Sequence, residues 1–337
     1  MARQPPTYSD ILAARQRIGP LACRTPLIEH PALNAAAGGR VLLKAENLQR
    51  VGAFKFRGAY NKIAQVDGAA YPGGVVACSS GNHAQGVAAA ATLRGLKSTI
   101  VMPSDAPRLK IERTKAFGGE VVAYDRTKED RDAIARELCE TRNAAYVHPF
   151  DDPDVIAGQG TVGLELMEQA AALGVVPDIV LVGVSGGGLI GGISVAVKET
   201  SPSTLIYSVE PAGFDDLARS LARGTRERND RLSGSICDAL LAAMPGELTF
   251  EMAKRHLAGG LSVTDEEAKA AVRFAFRELK LVLEPGGAVS LAAILAKKLA
   301  FEGKTVAAVL SGGNIDPSLF AEIILDQPLS PPGPGMV

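Results

Sequence analysis

Short apolar segments alternate with longer segments of helical periodicity along most of the chain. The apolar segments are rich in valine, isoleucine and leucine, and they span residues 75–78, 99–102, 121–124, 179–184, 205–209 and 305–310. Between them, stretches such as AQGVAAAATLRGL and TVGLELMEQAAALG have the apolar spacing of helices. Continuous apolar strands separated by helices are typical of parallel sheets covered by helices on both faces. The pattern therefore predicts an α/β fold.

The spacing of these segments also suggests two domains. Residues 75–147 resemble a β/α unit of their own, and a second series begins near Ile179. We predict a small domain, 73–148, inserted into a large domain made of 1–72 and 149–325. The proline-rich end of the chain, 326–337, is expected to be disordered.

Composition narrows the classes of function. The chain has 337 residues, 47% of them hydrophobic, and a formal net charge of -1, which argues against nucleic acid or an anionic membrane as the main partner. No window is long and apolar enough for a membrane span, and the first residues lack the apolar stretch of a secretory signal. Its four cysteines form no CxxC pair, so neither a zinc site nor a disulfide framework is indicated. We therefore expect a cytoplasmic protein.

One lysine has unusual neighbours. In VGAFKFRGAYN, Lys55 stands between Phe54 and Phe56, and small residues surround all three. A surface lysine whose stem covers apolar neighbours would explain the stretch. A desolvated lysine is the alternative, and its lowered pKa would make the amine available as a nucleophile or base.

Three turns rich in glycine and serine follow predicted strands. SSGNHAQG begins at Ser79, SGGGLIGG begins at Ser185, and SGGN begins at Ser311. The first two also precede helices, where free backbone N–H groups bind a carboxylate or a phosphate. Ordinary capping turns remain an alternative for the first.

The second turn permits a rival interpretation. Gly186, Gly188 and Gly191 fit G-x-G-x-x-G, and the next strand ends in Glu210, where a dinucleotide site would need an acidic residue. That pattern would indicate a nicotinamide-dependent oxidoreductase. All three turns follow strands and are therefore expected to meet at one edge of the sheets. The dinucleotide interpretation explains only the second turn and leaves Lys55 and the other two turns without a function.

Seven segments in order carry a family resemblance: ENLQRVGAFKFRGA, SSGNHAQG, AGQGTVGLEL, SGGGL, VEPAGFDD, LEPGGA and LSGGN. Together they resemble the fold-type II pyridoxal phosphate enzymes, in the threonine/serine dehydratase and serine racemase branch. The resemblance covers the chain from about Tyr8 to Leu325. It implies a two-domain fold like that of the tryptophan synthase β subunit, a homodimer, and a small amino acid as substrate.

The resemblance also implies roles for individual residues. Lys55 would hold pyridoxal phosphate as a Schiff base and act as the catalytic base at Cα. The residues expected to bind the cofactor are Lys55, Phe54, Asn82, Ser185, Gly186, Gly187, Gly188, Leu189, Glu284 and Ser311. Those expected to bind the substrate are Ser79, Ser80, Gly81, Asn82, His83 and Arg131.

The expected reaction is loss of the β-hydroxyl and then of ammonia from threonine or serine, which leaves a 2-oxo acid. Ser80 is the second catalytic candidate, because a proton acceptor on the face opposite Lys55 would permit racemisation. Ser80 could instead only shape the loop. Arg131 could clamp a second carboxylate, as in 3-hydroxyaspartate, or pair with nearby acids on an exposed helix.

A divalent cation is also implied. In the related racemases the segment VEPAGFDD binds Mg²⁺, which places the ligands at Glu210, the carbonyl of Phe214, and Asp216. Two carboxylates with a carbonyl between them suit such an ion, although a solvated surface is the common alternative. One departure from the family pattern is Cys237-Asp238-Ala239, where Ala-Asp-Gly is expected.

Overall fold

The computed structural model describes residues 4–79, 81–106, 108–125 and 127–326. Ser80, one of the two predicted catalytic residues, lies outside the described residues, as does the predicted disordered tail from residue 327 onward. No helix in the described part of the chain is both long and apolar enough to cross a bilayer.

The described residues form ten strands. They are β1 (Leu27–Glu29), β2 (Arg40–Ala45), β3 (Val75–Cys78), β4 (Ser98–Pro103), β5 (Glu120–Tyr124), β6 (Ala145–Tyr146), β7 (Ile179–Gly183), β8 (Leu205–Pro211), β9 (Gly259–Val263) and β10 (Thr305–Leu310). Strands β3, β4 and β7 are buried along their whole length, which explains their unbroken apolar sequences.

The same part of the chain forms thirteen α-helices. They are α1 (Tyr8–Ile18), α2 (Pro31–Ala37), α3 (Lys55–Ile63), α4 (Asn82–Leu93), α5 (Arg108–Ala116), α6 (Arg131–Arg142), α7 (Pro153–Ala172), α8 (Gly188–Thr200), α9 (Asp216–Arg223), α10 (Glu247–His256), α11 (Asp265–Phe274), α12 (Pro285–Leu295) and α13 (Pro317–Leu325). A π-helical turn, Ala275–Leu279, extends α11.

The strands assemble into two sheets. Six strands form one sheet in the order β1-β2-β10-β7-β8-β9, and four form the other in the order β5-β4-β3-β6. Every pair is parallel except β1 with β2. The predicted limits of the small domain, 73–148, lie just outside the strands of the four-stranded sheet. The domain boundaries themselves stay a prediction.

Strand ends place the candidate site. Helix α4 follows β3 and α8 follows β7, so both begin at carboxyl ends of parallel strands. Helix α3 begins beside the end of β10, because Ala53 bridges Gly312 and the Phe54 N–H donates to the Ser311 carbonyl at 3.1 Å. The first residue of α3 is Lys55. The fold thus brings the predicted lysine to the turn that follows β10.

Candidate active site

The amine of Lys55 lies in a largely apolar enclosure. Its Nζ donates to the Pro149 carbonyl at 2.7 Å and stands 5.2 Å from the centre of the Phe54 ring. Burial lowers the pKa of Lys55 to about 8, because desolvation disfavours the ammonium. The structure therefore supports the desolvated lysine over a surface lysine. At neutral pH an appreciable fraction of this amine is uncharged and nucleophilic.

The second glycine-rich turn forms a cradle for an anion. Gly187 precedes α8 with φ 92°, a left-handed conformation that glycine adopts readily, and no side chain caps this helix. A Cβ on Gly186 would lie 2.3 Å from the Phe150 ring, so a larger residue does not fit there. The first N–H groups of α8 are thus left for a bound group such as a phosphate.

The segment 148–151 connects the lysine to this cradle. The Pro149 carbonyl accepts the Lys55 amine, the Phe150 ring packs against Gly186, and the Phe150 backbone packs against Gly188. A reactive amine and the glycine cradle therefore border the same short segment. This arrangement fits pyridoxal phosphate, whose aldehyde reacts with an amine and whose phosphate needs N–H donors. The sequence analysis did not identify this segment, which begins shortly after the short strand β6 ends at Tyr146.

The first turn is built around open space. The Ser79 hydroxyl accepts the Gly81 N–H at 3.1 Å, which shapes the turn before α4. A Cβ added to Gly81 would meet no atom within 4 Å. The turn therefore has room beside it for a small ligand, as the predicted carboxylate site requires.

The ring of His83 is held by the backbone of a neighbouring segment. It is buried, and its Nε2 lies 3.0 Å from the Val147 carbonyl, so Nε2 carries the proton. Burial, and then the charge of Lys55, lower the pKa of His83 to about 3. The imidazole is consequently neutral, and what His83 offers an anion is its backbone N–H at the start of α4.

Asn82 joins the first and third turns. Its Nδ2 donates to Glu284 at 2.6 Å, and its Oδ1 accepts from Asn314 at 2.7 Å. Arg113, on α5, in turn donates to Asn314 Oδ1 at 2.9 Å. Burial, and then the charge of Asp238, raise the pKa of Glu284 to about 7. Two predicted cofactor ligands, Asn82 and Glu284, thus form one hydrogen-bonded group.

The third turn brings Ser311 to the same place. Ser311 is buried directly after β10, and its carbonyl accepts the Phe54 N–H. Nearby, Asp238 of the unusual triplet pairs with Lys110 on α5. The departure from the family pattern therefore lies in a 3-10 turn, Asp238–Leu240, that contacts α5 and whose Asp238 charge acts on Glu284.

A buried ionic cluster anchors α3, and the sequence analysis did not identify it. Arg57 is fully buried and pairs with Glu46 at 2.8 Å and with Glu165 at 2.7 Å. Lys44, also fully buried, pairs with Glu165 at 2.7 Å. Two cations meet two carboxylates, so the charges balance. Because Arg57 follows Lys55 by two residues, the cluster fixes the helix that presents the lysine.

Arg131 begins α6, close to the first turn. Its backbone carbonyl accepts the Cys78 thiol at 3.4 Å, and Cys78 immediately precedes Ser79. The Arg131 side chain is 56% exposed and lies 3.7 Å from the Asp132 carboxylate. The backbone of Arg131 is therefore near the predicted carboxylate site, and its exposed guanidinium is paired with Asp132.

The predicted metal ligands lie between the end of β8, which contains Glu210, and the start of α9, whose first residue is Asp216. Both oxygens of Glu210 accept N–H groups, from Leu217 at 2.8 Å and Ala218 at 2.9 Å. Asp216 accepts from Asn229 through Oδ1 at 2.6 Å, and its buried Oδ2 has no hydrogen-bond partner. Burial is the main cause that raises both pKa values, to about 6 for Asp216 and well above the ordinary range for Glu210. Phe214 is buried beside them.

The described residues contain no cluster of three or more histidine, cysteine, aspartate or glutamate side chains that could hold a metal ion. The predicted set contains only two carboxylates and a carbonyl.

The position of Glu210 also argues against the dinucleotide interpretation, because a fully buried carboxylate that accepts two N–H groups cannot reach a ribose.

This chain is similar to known proteins over most of its length. A family described as "Pyridoxal-phosphate dependent enzyme" matches residues 18–312. An L-threo-3-hydroxyaspartate ammonia-lyase from Pseudomonas sp is 40% identical over 94% of this chain and 98% of its own. An L-threonine ammonia-lyase from Thermotoga maritima is 42% identical over 94% of this chain and 78% of its own. The structure of maize serine racemase superposes with a TM-score of 0.89 at 36% identity, over 95% of this chain and 97% of that one.

Proposed function

Because the chain belongs to the pyridoxal-phosphate dependent enzymes, we propose that it converts small L-β-hydroxy amino acids to 2-oxo acids and ammonia. The observation that carries the proposal is the buried amine of Lys55, with its pKa lowered to about 8, beside a glycine cradle. The predicted fold class, and the predicted class of enzyme, a pyridoxal phosphate-dependent ammonia-lyase, are confirmed.

The residues divide the chemistry between them. Pyridoxal phosphate, when bound, supplies the electron sink that makes the Cα proton removable. N–H groups of the turn that starts at Ser79 receive the substrate carboxylate, which orients Cα toward Lys55. The uncharged Lys55 amine takes the Cα proton, and its low pKa keeps it available for that task. The β-hydroxyl then leaves with a proton as water, and hydrolysis of the nitrogen-bearing product releases ammonia.

We propose that Asn82, Glu284, Phe54 and Ser311 surround the cofactor ring, as their shared position suggests. A second proton acceptor at Ser80 would add racemase activity, and the similarity to maize serine racemase supports this alternative.

The colour of the purified protein tests whether pyridoxal phosphate is the cofactor. A yellow protein bleached by borohydride, with the label on Lys55, is expected. A colourless protein that binds NADH and ignores pyridoxal phosphate would contradict it.

Serine and threonine are the proposed substrates, and 3-hydroxyaspartate is the second candidate. All three share the amine, the carboxylate and the β-hydroxyl, so the first turn and Lys55 treat them alike. Only 3-hydroxyaspartate carries a second carboxylate, which requires a cation in a closed cleft. Arg131 at the start of α6, beside Cys78 and the first turn, is the observation that favours it.

Comparing kcat/KM for the three substrates separates these candidates. If hydroxyaspartate is the substrate, Arg131→Ala is expected to reduce its kcat/KM selectively, by about a hundredfold for a lost charge-assisted contact. Arg136→Ala is the matched control, because Arg136 is an exposed arginine of the same helix. If all three substrates fall together, or none changes, Arg131 does not recognise the side chain.

The metal site belongs to the proposal as well. Glu210, Asp216 and the Phe214 carbonyl are proposed to hold Mg²⁺ or another divalent cation. The unpartnered Oδ2 of Asp216 supports this, because a buried carboxylate oxygen otherwise lacks compensation. For the cation to bind, Glu210 must share its oxygens with the N–H groups of α9 or release them.

A homodimer in the cytoplasm completes the proposal. Apolar side chains are exposed near the third turn: Leu48 by 48% and Val282 by 43%, with Asn47 bonded to the Val282 carbonyl. Such a surface suits a second copy of the chain. Four free cysteines suit a reducing compartment. Light scattering after size-exclusion chromatography is expected to give twice the mass of the chain, and a monomer would contradict the dimer.

A further inference from the structure

The carbonyl of Gly186 points away from the anion cradle and is held there by two donors. The Thr249 hydroxyl donates to it at 2.7 Å, and the Gly246 N–H donates to it at 3.2 Å. Thr249 is almost fully buried, at 1% exposure, and its Cβ would lie 2.8 Å from a Cβ placed on Gly187. The hydroxyl is thus directed at this one carbonyl by close packing.

Because the Gly186 carbonyl is held in place, the direction of the Gly187 N–H is fixed as well. In a trans peptide the carbonyl and the N–H of one unit point in opposite directions, and the described residues contain no cis peptide. With the Gly186 carbonyl turned toward Thr249, the Gly187 N–H is turned to the opposite side. Glycines on both sides leave this peptide unit free to rotate unless something holds it.

A rotated unit would damage the cradle. It would exchange an N–H for a carbonyl oxygen, and an oxygen dipole repels a phosphate. The structure around Thr249 is built to resist this rotation. Asp151 accepts the N–H groups of Glu247, Leu248 and Thr249, which fixes the start of α10. Ser185 Oγ accepts the Ala242 N–H at 3.2 Å and holds the other end of the turn.

We propose that Thr249 is a positioning residue for the cofactor phosphate, which acts by holding the Gly186–Gly187 peptide with its N–H toward the cradle. Thr249 itself lies on the far side of the turn and need not touch the cofactor. The inference rests on the cofactor part of the proposed function and is independent of the substrate.

The test uses Thr249→Val, which keeps the shape of the side chain and removes only the hydroxyl. The full-length protein, freed of cofactor, is titrated with pyridoxal phosphate and, separately, with pyridoxal, which lacks the phosphate. Attachment to Lys55 is followed by visible absorbance. The variant is expected to bind pyridoxal phosphate about five- to tenfold more weakly, as for the loss of one hydrogen bond, with the affinity for pyridoxal unchanged.

Matched variants test whether the loss of affinity is specific to the Thr249 hydroxyl. Thr204→Val removes another buried hydroxyl, bonded to the Pro177 carbonyl at 2.8 Å, and is expected to leave both affinities unchanged. Thr249→Ser and Thr249→Ala both lose the methyl group, and only the serine keeps the hydroxyl. Serine is expected to bind pyridoxal phosphate more tightly than alanine, a comparison that remains if the valine variant does not fold.

Two results would overturn the inference. One is unchanged affinity for pyridoxal phosphate in Thr249→Val, and the other is equal loss for pyridoxal and pyridoxal phosphate, which would show general damage to the site. If the proposed function itself were wrong, the unaltered protein would show no preference for pyridoxal phosphate over pyridoxal, and this result is distinct from the two above.

Discussion

Replacing Lys55 by methionine is expected to stabilise the cofactor-free protein at neutral pH and to abolish lyase activity. Methionine has a similar length and no charge, so it removes the ammonium and leaves the enclosure filled. In the folded protein burial lowers the pKa of Lys55 from its ordinary 10.5 to about 8. The folded state therefore binds this proton less tightly than the unfolded chain does.

The size of the effect follows from that difference. A fall from 10.5 to about 8 corresponds to about 3 kcal/mol, at about 1.4 kcal/mol for each tenfold change in proton affinity. Methionine leaves the Pro149 carbonyl without its donor, which offsets about 1 kcal/mol of this gain. The net gain in the free energy of unfolding at pH 7 is expected to be about 2 kcal/mol.

The pH dependence has a definite sign. Below about pH 8 both states carry the proton, and the penalty on the native protein is complete. Between about pH 8 and 10.5 the folded state loses its proton first, so the native protein gains stability as the pH rises. The advantage of Lys55→Met is therefore expected to shrink through this range and to reverse above it, where only the loss of about 1 kcal/mol at the Pro149 carbonyl remains.

Urea unfolding of the cofactor-free protein at several pH values measures this advantage. Exposed Lys97 supplies the control, because Lys97→Met should change the free energy of unfolding by less than about 0.5 kcal/mol at any pH. A difference between Lys55→Met and the native protein that stays constant from pH 7 to 10.5 would refute the reasoning. So would measurable lyase activity in the variant.

Two further predictions concern the metal site and Ser80. Removing divalent ions with a chelator is expected to lower the thermal unfolding temperature, and Mg²⁺ should restore it, because a ligand of the folded state stabilises that state. Asp216→Ala should abolish this response, and a variant that responds to chelator and Mg²⁺ like the native protein would rule out the metal site. Ser80→Ala is expected to lower any racemase activity while elimination continues, since it removes only the second proton acceptor. Equal loss of both activities, measured on one serine substrate, would place Ser80 in substrate binding instead.

The sequence was sufficient for most of the large-scale architecture. Strands β3, β4, β7 and β10 were visible because each is a run of buried apolar residues. Strand β2 was missed because Lys44 interrupts its apolar pattern. That lysine is buried all the same, since Glu165 comes from α7, more than a hundred residues later, to pair with it. A tertiary ion pair of this kind leaves no local signal.

The candidate site likewise combines features that the local sequence predicts with features that it does not. Local motifs identified Lys55 and the glycine turns, because their chemistry depends on neighbouring residues in the chain. The supports of the site depend on distant partners instead. Thr249 acts on a turn more than sixty residues before it, and Arg113 on α5 reaches Asn314, which lies 201 residues later in the chain. Only the folded chain brings such pairs together, so periodicity and spacing could not predict them.

The strand order of the large sheet has a consequence for how the chain is made. Strand β2 lies between β1 and β10, so its parallel neighbour is the last strand of the described residues. A ribosome must therefore synthesise more than three hundred residues before β2 can pair with β10, whereas β3, β4, β5 and β6 find all their partners within 75–146. Contacts of such long separation form slowly. Because Lys55 lies beside the end of β10, the surroundings of the reactive amine are completed only after β10 has been synthesised.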